Sequence, residues 1–323
     1  MRYRKLGRTE FQVSEIGYGA WGIGGGLWAG ADDQKSLDAL HHAIELGLNF
    51  IDTALAYGNG KSEELVGQVV RDFGHKIYVA SKVPPKNQLW PARPGIAISE
   101  VFPYDHIVKS TESSLQNLRF ETLDLQQLHV WNPEWIDRDE WKRACDDLKR
   151  SGKVRAVGIS INDHQPDSAL DLIKTGLIDT VQVIYNIFDQ SPERNLFPLT
   201  MEKNIGVIAR VPLDEGGLTG KIDENSEFDP AEFRARYFRG DRKKQVAEHV
   251  SAIQHELGIH NGNMPEVALR FCLSPPAVAT VIPGMRSRRN VDFNLGIPGK
   301  GPLPEKVLTI LKKHAWERNF YGA

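Results

Sequence analysis

Four ionisable residues with complementary chemistry follow apolar runs in the first half of the chain. Asp52 and Tyr57 lie in "FIDTALAYG", Lys82 lies in "VASKV" and His129 lies in "LQQLHVWNP". Together they could deliver a proton to an oxygen that gains negative charge. A phenol with a pKa of about 10 is a reluctant acid at neutral pH, but a nearby ammonium group lowers that pKa. Lys82 can supply the ammonium, Asp52 can keep it charged, and His129 can orient the oxygen through a hydrogen bond.

Each of these residues also has an ordinary structural explanation when it is taken alone. An aspartate at a strand end usually belongs to a turn, and a lone buried histidine usually hydrogen-bonds within the core. Their interpretation as one site therefore depends on whether the fold brings them together. Positioned acid catalysis of this kind typically accelerates a reaction by about 10²–10⁴.

The chain alternates between short apolar runs and longer segments with helical periodicity, which is the pattern of strand–helix units. Strands are predicted at 14–19, 49–54, 76–83, 123–130, 154–161, 179–186, 205–212 and 278–285. Helices are predicted at 33–46, 62–71, 104–118, 135–150, 166–174, 192–203, 242–257 and 304–313. The sequence thus predicts eight strand–helix units.

Eight such units favour one α/β domain over residues 1–323, folded as a (β/α)8 TIM barrel. A doubly wound open sheet is the alternative. The opening "RYRKLGRTEFQVS" predicts a β-hairpin cap with its turn at Gly7 and Arg8, and this hairpin could plug the barrel floor. In a barrel, the strand ends that carry the four ionisable residues share one mouth. The long loops 84–103 and 214–241 would lie on the same face.

Composition and charge narrow the classes of partner. The 323 residues include 40 basic and 42 acidic side chains, so a net charge of −2 does not favour nucleic acid or an anionic membrane. Neither Cys145 nor Cys272 lies in a metal-ligand motif, and two cysteines do not make a disulfide framework. The chain lacks a signal-peptide pattern and any run of eighteen apolar residues. We expect a cytoplasmic protein with a small-molecule partner and no metal.

The stretch 17–22, "GYGAWG", matches the G-x-G-x-x-G pattern of dinucleotide-binding Rossmann folds. In that fold the third glycine opens a helix that receives the pyrophosphate. Here the glycine-rich "IGGGLWAGADD" follows instead, and helical periodicity begins only near Asp33. The next acidic strand end, Asp52, lies 30 residues beyond Gly22 rather than about 20. The pattern therefore does not indicate a Rossmann fold.

From "YRKLGRTEFQVSEIGYGAWGIGG" to the last helix, the sequence resembles the aldo-keto reductase superfamily. It looks most like the bacterial members related to the voltage-gated potassium channel β subunits. The motifs that carry the likeness are "NFIDTALAYGNGKSEELVG", "VASKV" and "LQQLHVWNP". The resemblance implies that Asp52, Tyr57, Lys82 and His129 form a catalytic tetrad in which Tyr57 donates the proton. It also implies that NADPH binds in extended form across the barrel mouth.

Cofactor contacts are implied by the same resemblance. The contacts expected at the nicotinamide end are Gly19, Ala20, Trp21, Asp52, Ser160, Gln182 and Arg210. The contacts expected at the pyrophosphate are Leu213, Gly217, Leu218, Thr219, Gly220 and Lys221. Those expected at the adenosine 2′-phosphate are Gly284, Arg286, Asn290 and Asn294. Arg286 favours NADP over NAD, because a guanidinium group pairs with a phosphate where a hydroxyl would gain less.

Two departures from the family pattern concern the nicotinamide. Ser160-Ile161-Asn162 stands where Ser-Asn is usual, which leaves open the group that completes the carboxamide contact. Arg210 stands where many members place an aromatic residue under the ring. A planar guanidinium can stack on a ring, and its charge would disfavour the oxidised, positively charged nicotinamide.

A third departure concerns the substrate pocket. Trp131 follows His129, and with Trp21, Trp28, Trp90 and the tail "AWERNFYGA" it could wall an aromatic pocket. Packing of these tryptophans against helices is the alternative.

These expectations describe an NADPH-dependent aldo-keto reductase that reduces aldehydes or ketones to alcohols. A nicotinamide-binding redox sensor or regulatory subunit with little turnover is the alternative, as in the channel β subunits. A third possibility is a barrel of other chemistry, such as an aldolase that uses Lys82 as a Schiff base, which would require a deprotonated lysine.

Overall fold

The computed structural model describes residues 1–74 and 76–321, and its centre is a sheet of eight parallel strands. An antiparallel hairpin of β1 (Tyr3–Lys5) and β2 (Gln12–Ser14) precedes it. The barrel strands are β3 (Tyr18–Gly19), β4 (Phe50–Asp52), β5 (Tyr78–Val83), β6 (Leu123–Leu128), β7 (Val154–Ser160), β8 (Thr180–Ile184), β9 (Gly206–Arg210) and β10 (Val278–Val281).

The eight strands follow one another around the sheet in chain order, and each neighbouring pair is parallel. Parallel bridges from Ile16 to Val281 and from Gly19 to Gly284 join the first strand to the last. The amide of Gly17 also donates to the carbonyl of Val281 at 2.9 Å. The sheet therefore closes, which confirms the predicted (β/α)8 barrel and excludes the doubly wound alternative.

The helices connect successive strands and cover the outside of the sheet. They are α1 (Asp33–Glu45), α2 (Lys61–Val70), α3 (Ile98–Val101), α4 (Tyr104–Leu118), α5 (Asp139–Arg150), α6 (Leu170–Thr175), α7 (Leu196–Glu202), α8 (Phe233–Tyr237), α9 (Arg242–Leu257), α10 (Met264–Cys272), α11 (Arg288–Gly296) and α12 (Glu305–Lys312). The predicted helices at 242–257 and 304–313 correspond to α9 and α12, which pack against each other.

Two helices that the sequence analysis missed complete the outer ring. α10 precedes β10 and packs against it, and α11 follows β10 and packs beside α1. α10 has only 9 residues and follows α8 and α9 in the connection between β9 and β10, where strand–helix alternation predicts one helix. α11 contains two asparagines, an aspartate and a glycine, all of which have low helix propensity.

The hairpin closes the amino-terminal end of the barrel. Leu6, Phe11 and Val13 pack with the inward-facing side chains of the strands in one buried apolar cluster. Gly7 has a φ of 53°, and a Cβ there would lie 2.2 Å from the backbone nitrogen of Gly206. Only glycine fits that turn, so the predicted hairpin cap is confirmed, including its contact with the barrel floor.

The opposite end carries the long loops. The loop between β5 and α4 contains α3, and the loop after β9 contains a 3-10 helix (Asp214–Thr219) and α8. Beyond α12, the C-terminal segment (residues 313–321) returns to the same end, where the amide of Trp316 donates to the carbonyl of Phe188 at 2.9 Å. Within residues 1–74 and 76–321, no helix is long and apolar enough to cross a membrane.

Candidate active site

The carboxyl ends of β4, β5 and β6 place three of the four ionisable residues at the barrel mouth. Asp52 is the last residue of β4, Lys82 lies one residue before the end of β5, and His129 directly follows β6. Parallel pairing aligns Asp52 with Ala80 and Lys82 with Gln127, so neighbouring strands present their ends at one level. The structure therefore brings together the residues that the sequence placed at separate strand ends.

Lys82 is the centre of the cluster and has no exposed surface. Its Nζ donates to Asp52 Oδ1 at 2.5 Å, to the carbonyl of Thr53 at 2.8 Å and to the hydroxyl of Tyr57 at 3.2 Å. Burial opposes the charge of Lys82, but the carboxylate of Asp52 and the phenol of Tyr57 hold its pKa above the ordinary value. The amine is therefore an ammonium at neutral pH.

Asp52 is held by two glutamines as well as by Lys82. The Nε2 atoms of Gln182 and Gln127 donate to Asp52 Oδ2 at 2.7 and 3.3 Å. Gln182 was expected at the nicotinamide carboxamide, and the structure commits one of its donors to Asp52. Gln127 was missed by the sequence analysis, although a polar residue inside the apolar run of β6 was a signal that could have found it.

The turn that carries Tyr57 is fixed by close backbone contact. Gly58 has a φ of 64°, and a Cβ there would lie 2.1 Å from the carbonyl oxygen of Gly24, so the turn packs directly on the loop after β3. Partial burial raises the pKa of the Tyr57 phenol, and the adjacent Lys82 ammonium opposes that rise. The phenol is thus protonated, with a cation beside its oxygen.

The rings of His129 and Tyr57 meet at a steep angle of 73°, with their centroids 5.8 Å apart. Burial, with the charges of Lys82 and Arg210, lowers the pKa of His129 well below its ordinary value. The imidazole is therefore neutral at neutral pH. Its buried Nδ1 has no hydrogen-bond partner among the described residues.

Arg210 and Asn162 are the residues at which the sequence departs from the family pattern near the expected nicotinamide position. Arg210 Nη2 donates to Asp163 Oδ1 at 2.8 Å, so a carboxylate offsets part of the charge that the sequence placed there. Asn162 accepts from the amides of Ala92 and Trp131, both at 3.4 Å, and donates to the carbonyl of Ala92 at 3.2 Å. Asn162 thus joins loops, whereas Ser160 is buried at the end of β7.

The expected pyrophosphate contacts lie in the loop after β9. Gly217 and Leu218 are buried, Leu213 is half-buried, and Lys221 is exposed. Gly220 has a φ of 70°, which glycine adopts without strain. The hydroxyl of Thr219 donates to the carbonyl of Gly216 at 2.6 Å.

The expected 2′-phosphate contacts lie around the start of α11. Gly284 and Asn290 are exposed and Asn294 is buried. Arg286 Nη1 donates to the carbonyl of Ala29 at 2.8 Å, and its guanidinium lies 5.6 Å from the ring of Trp28.

The tryptophans divide between the mouth and the core. The ring of Trp21 stacks near that of Tyr57 with centroids 6.1 Å apart, and it meets the ring of Trp28 at right angles with centroids 5.2 Å apart. Trp90 is 44% exposed and lies 5.8 Å from His129. Trp131 is fully buried and packs edge-to-face on Trp135 and Trp141, which are helix-side residues. The expectation that Trp131 walls a pocket is therefore corrected, because a side chain with no exposed surface packs only against protein.

The tail was also expected at the pocket, and the structure describes it as far as Tyr321. The ring of Tyr321 stacks near Phe233 at 5.9 Å, and Phe233 meets Trp21 at 5.1 Å. Gly322 and Ala323 lie outside the described residues.

The polar groups at the mouth fit a nicotinamide dinucleotide. Buried atoms without a partner in the described part of the chain include His129 Nδ1, Arg210 Nε and Trp28 Nε1. Buried polar atoms are normally paired, so these atoms are suited to meet a ligand. The amino terminus of α11 with Arg286 beside it suits a phosphate. In residues 1–74 and 76–321, no group of three or more His, Cys, Asp or Glu side chains is placed to hold a metal ion.

Known proteins are similar to this chain in sequence over most of its length. The chain is 30% identical to a Bacillus subtilis protein described as an uncharacterized oxidoreductase, YqkF, over 100% of the chain and 99% of that protein. It is 28% identical to an NADH-specific methylglyoxal reductase of Escherichia coli, over 91% and 93% of the two chains. A probable voltage-gated potassium channel subunit β of Arabidopsis thaliana is 26% identical over 91% and 90%.

A solved structure extends the likeness to the fold. The holo form of the aldo-keto reductase AKR11C1 from Bacillus halodurans superposes with a TM-score of 0.77 at 27% identity, over 98% of this chain and 96% of that one. The model of the Aldo/keto reductase family matches residues 15–315, from the residue after the hairpin to the start of the C-terminal segment. With the barrel, the mouth and this match in agreement, the chain belongs to the aldo/keto reductase family.

Proposed function

We propose that this protein is an NADPH-dependent reductase that converts aldehydes or ketones to alcohols, with Tyr57 as the proton donor. Membership of the family supports an oxidoreductase that acts on small carbonyl compounds. The observation that carries the proposal is the contact of Tyr57 with Lys82, whose Nζ lies 3.2 Å from the phenol oxygen. A neutral acid beside a buried cation is poised to lose a proton when an acceptor arrives.

The side chains at the mouth have separate roles in this proposal. A reduced nicotinamide, when bound, supplies a hydride to the carbonyl carbon. His129 donates a hydrogen bond to the carbonyl oxygen, and the Tyr57 hydroxyl gives that oxygen its proton, so the C=O group becomes CH–OH. The phenolate that remains is stabilised by the Lys82 ammonium and regains its proton from solvent. Asp52 preserves the ammonium, since it is 2.5 Å away and itself held by Gln182 and Gln127.

The remaining contacts of the cofactor are proposed from the same family resemblance. Trp21 with Gly19 and Ala20, Ser160, Gln182 and Arg210 would border the nicotinamide, and the loop 213–221 would follow the pyrophosphate. Arg286 at the start of α11 supports NADPH, because a guanidinium recognises the 2′-phosphate that NADH lacks. The similarity to a reductase described as NADH-specific makes this preference a point to measure. A cytoplasmic location is proposed as well.

Tyr57→Phe tests the proposed acid. This variant should lose at least about 10²-fold in kcat, because the proton donor is removed while the ring is kept. NADPH binding, followed by protein fluorescence, should remain. Tyr104→Phe is the matched control, since Tyr104 donates to Asp147 on the helical shell and should leave kcat unchanged. Full turnover by Tyr57→Phe would contradict the assigned role.

The alternative, a redox sensor or regulatory subunit, draws on the similarity to the plant channel subunit. A panel of aldehydes with NADPH absorbance as the readout separates the two, because a sensor would turn over negligibly with every compound. The aldolase alternative requires a neutral Lys82. The raised pKa of that amine speaks against it, and borohydride trapping would test it.

A further inference from the structure

The loop after β9 enters the mouth in a backbone conformation that non-glycine residues rarely adopt. Val211, Asp214 and Glu215 have φ angles of 57°, 52° and 53°. A positive φ is a marked departure for a β-branched residue such as valine. Such conformations persist only where surrounding contacts over-determine them, and they cluster at functional sites. The residues that hold this loop therefore bear on what it binds.

The contacts that hold the loop come from the C-terminal segment. Arg318 Nη2 lies 2.6 Å from Asp214 Oδ2, and the two side chains are only 6% and 3% exposed. Tyr237 donates to Asp214 Oδ1 at 2.9 Å and accepts from Arg318 Nη1 at 3.2 Å. We call Asp214, Tyr237 and Arg318 the tail cluster. Burial opposes the charge of Arg318, but Asp214 keeps the pKa of Arg318 above the ordinary value, so the guanidinium stays charged.

Asp214 transmits this contact directly to the proposed pyrophosphate loop. A Cβ on Gly217 would lie 2.4 Å from Asp214 Oδ2, so the carboxylate packs against the Gly217 backbone without intervening space. Glu215, which directly follows Asp214, is also held by the C-terminal segment: the hydroxyl of Tyr321 donates to Glu215 Oε1 at 2.6 Å. Movement of the C-terminal segment would thus release two successive strained residues.

The segment itself is anchored on α9 and on the loop after β8. Trp316 stacks on His249 of α9 with ring centroids 3.9 Å apart. The carbonyl of Phe320 accepts from Arg242 Nη1 at 2.9 Å. The guanidinium of Arg318 lies between 4.3 and 5.1 Å from the rings of Phe188, Trp316 and Phe320. The tail cluster therefore joins the well-packed C-terminal segment to the strained residues of the loop 213–221.

We propose that the C-terminal segment holds the loop 213–221 in its cofactor-binding shape, and that Arg318 and Asp214 are positioning residues that set NADPH affinity and release. This inference rests on the proposed function, because the loop governs affinity only if it contacts the pyrophosphate. The polar side-chain contacts of Arg318 and Asp214 are with each other and with Tyr237, and do not include Tyr57 or Lys82. The effect should therefore fall on cofactor binding and spare the chemical step.

Arg318→Met tests this separation, because methionine removes the charge and keeps an apolar stem among the three rings. NADPH should bind at least about tenfold more weakly, chiefly through faster dissociation in stopped-flow fluorescence. The single-turnover rate of carbonyl reduction by prebound NADPH should stay within about threefold of the parent rate. Arg318→Lys should recover part of the affinity. Asp214→Asn should weaken binding similarly, and the double variant should be little worse than either single variant.

Arg194→Met is the matched control. Arg194 forms an exposed ion pair with Glu317 of the same segment, so its loss should leave affinity and release unchanged. Hydrogen exchange of residues 213–220 in the cofactor-free protein gives a second readout. Arg318→Met should exchange faster there than the parent protein or the control.

The proposal would be overturned if Arg318→Met and Asp214→Asn both kept the parent protein's NADPH affinity, NADPH release rate and hydrogen-exchange protection of the loop. If the parent protein fails to bind NADPH, the proposed function falls, and the exchange comparison alone decides whether the segment holds the loop. If Arg318→Met does not fold, as judged by thermal unfolding, Tyr321→Phe replaces it. That variant removes only the hydrogen bond to Glu215 and should speed NADPH release about two- to fivefold, with an unchanged rate counting against the proposal.

Discussion

Glu215→Gln should change how the stability of this protein depends on pH. Burial raises the pKa of the Glu215 carboxyl from 4.5 to about 7, although the hydrogen bond from Tyr321 opposes the rise. Asp214 and Asp163 add to the increase and Arg210 counteracts it. The folded protein therefore binds a proton between about pH 4.5 and 7 that the unfolded chain has released. Its free energy of unfolding must fall as the pH rises through that window.

The size of the effect follows from the two pKa values. A difference of about 2.5 between 4.5 and 7 corresponds to an upper limit of about 3 kcal/mol. Glu215 keeps some contact with water, so screening reduces the expected effect to about 1–2 kcal/mol. Glutamine has no charge to desolvate, and its amide oxygen can still accept from Tyr321. The variant should therefore escape the loss of stability that the parent protein undergoes as the pH rises from about 4.5 to about 7.

Urea unfolding of both proteins at about pH 5 and about pH 8 measures this difference. The stability of Glu215→Gln relative to the parent should rise by about 1–2 kcal/mol between the two conditions. Glu227→Gln is a suitable control, because Glu227 is an exposed carboxylate in the same loop. Parallel stability curves for the parent and Glu215→Gln would refute the assignment of an uncharged carboxyl at this position.

Two further variants probe opposite ends of the barrel. Leu6→Ala should lower the free energy of unfolding by about 2–5 kcal/mol, because Leu6 is fully buried in the floor cluster, and urea denaturation measures it. Its kcat should be unchanged, and a loss of activity at full folding would show that the floor affects the chemistry. Arg286→Ala should weaken NADPH binding at least about tenfold while sparing NADH. Equal losses for both cofactors would mean that Arg286 does not read the 2′-phosphate.

The barrel and its mouth could be predicted because their signals are local. Strand–helix alternation is written along the chain, and Asp52, Lys82 and His129 each interrupt an apolar run at a strand end. Once eight parallel strands close, the fold itself brings those ends together. The closure of the barrel is therefore enough to predict that Tyr57 and Lys82 come into contact.

Other features depend on contacts that no local pattern encodes. The pairing of Arg318 with Asp214 joins residues far apart in the chain, and neither residue type is unusual in its own segment. Trp131 is indistinguishable in sequence from a pocket tryptophan, and only the positions of Trp135 and Trp141 show that it is core. α10 was not predicted because it is a further helix in the connection between β9 and β10, and strand–helix alternation assigns one helix to each connection.

The hairpin of β1 and β2 covers one end of the barrel, whereas the candidate active site lies at the other end. Leu6, Phe11 and Val13 fill one opening of the barrel with buried apolar side chains, and the contact of Tyr57 with Lys82 lies at the other end. The end covered by the hairpin can therefore accept a purification tag, a fused domain or an attachment to a solid support without obstructing the entry of small molecules at the mouth. A preparation immobilised through residue 1 would leave the mouth with Tyr57 facing the surrounding solution.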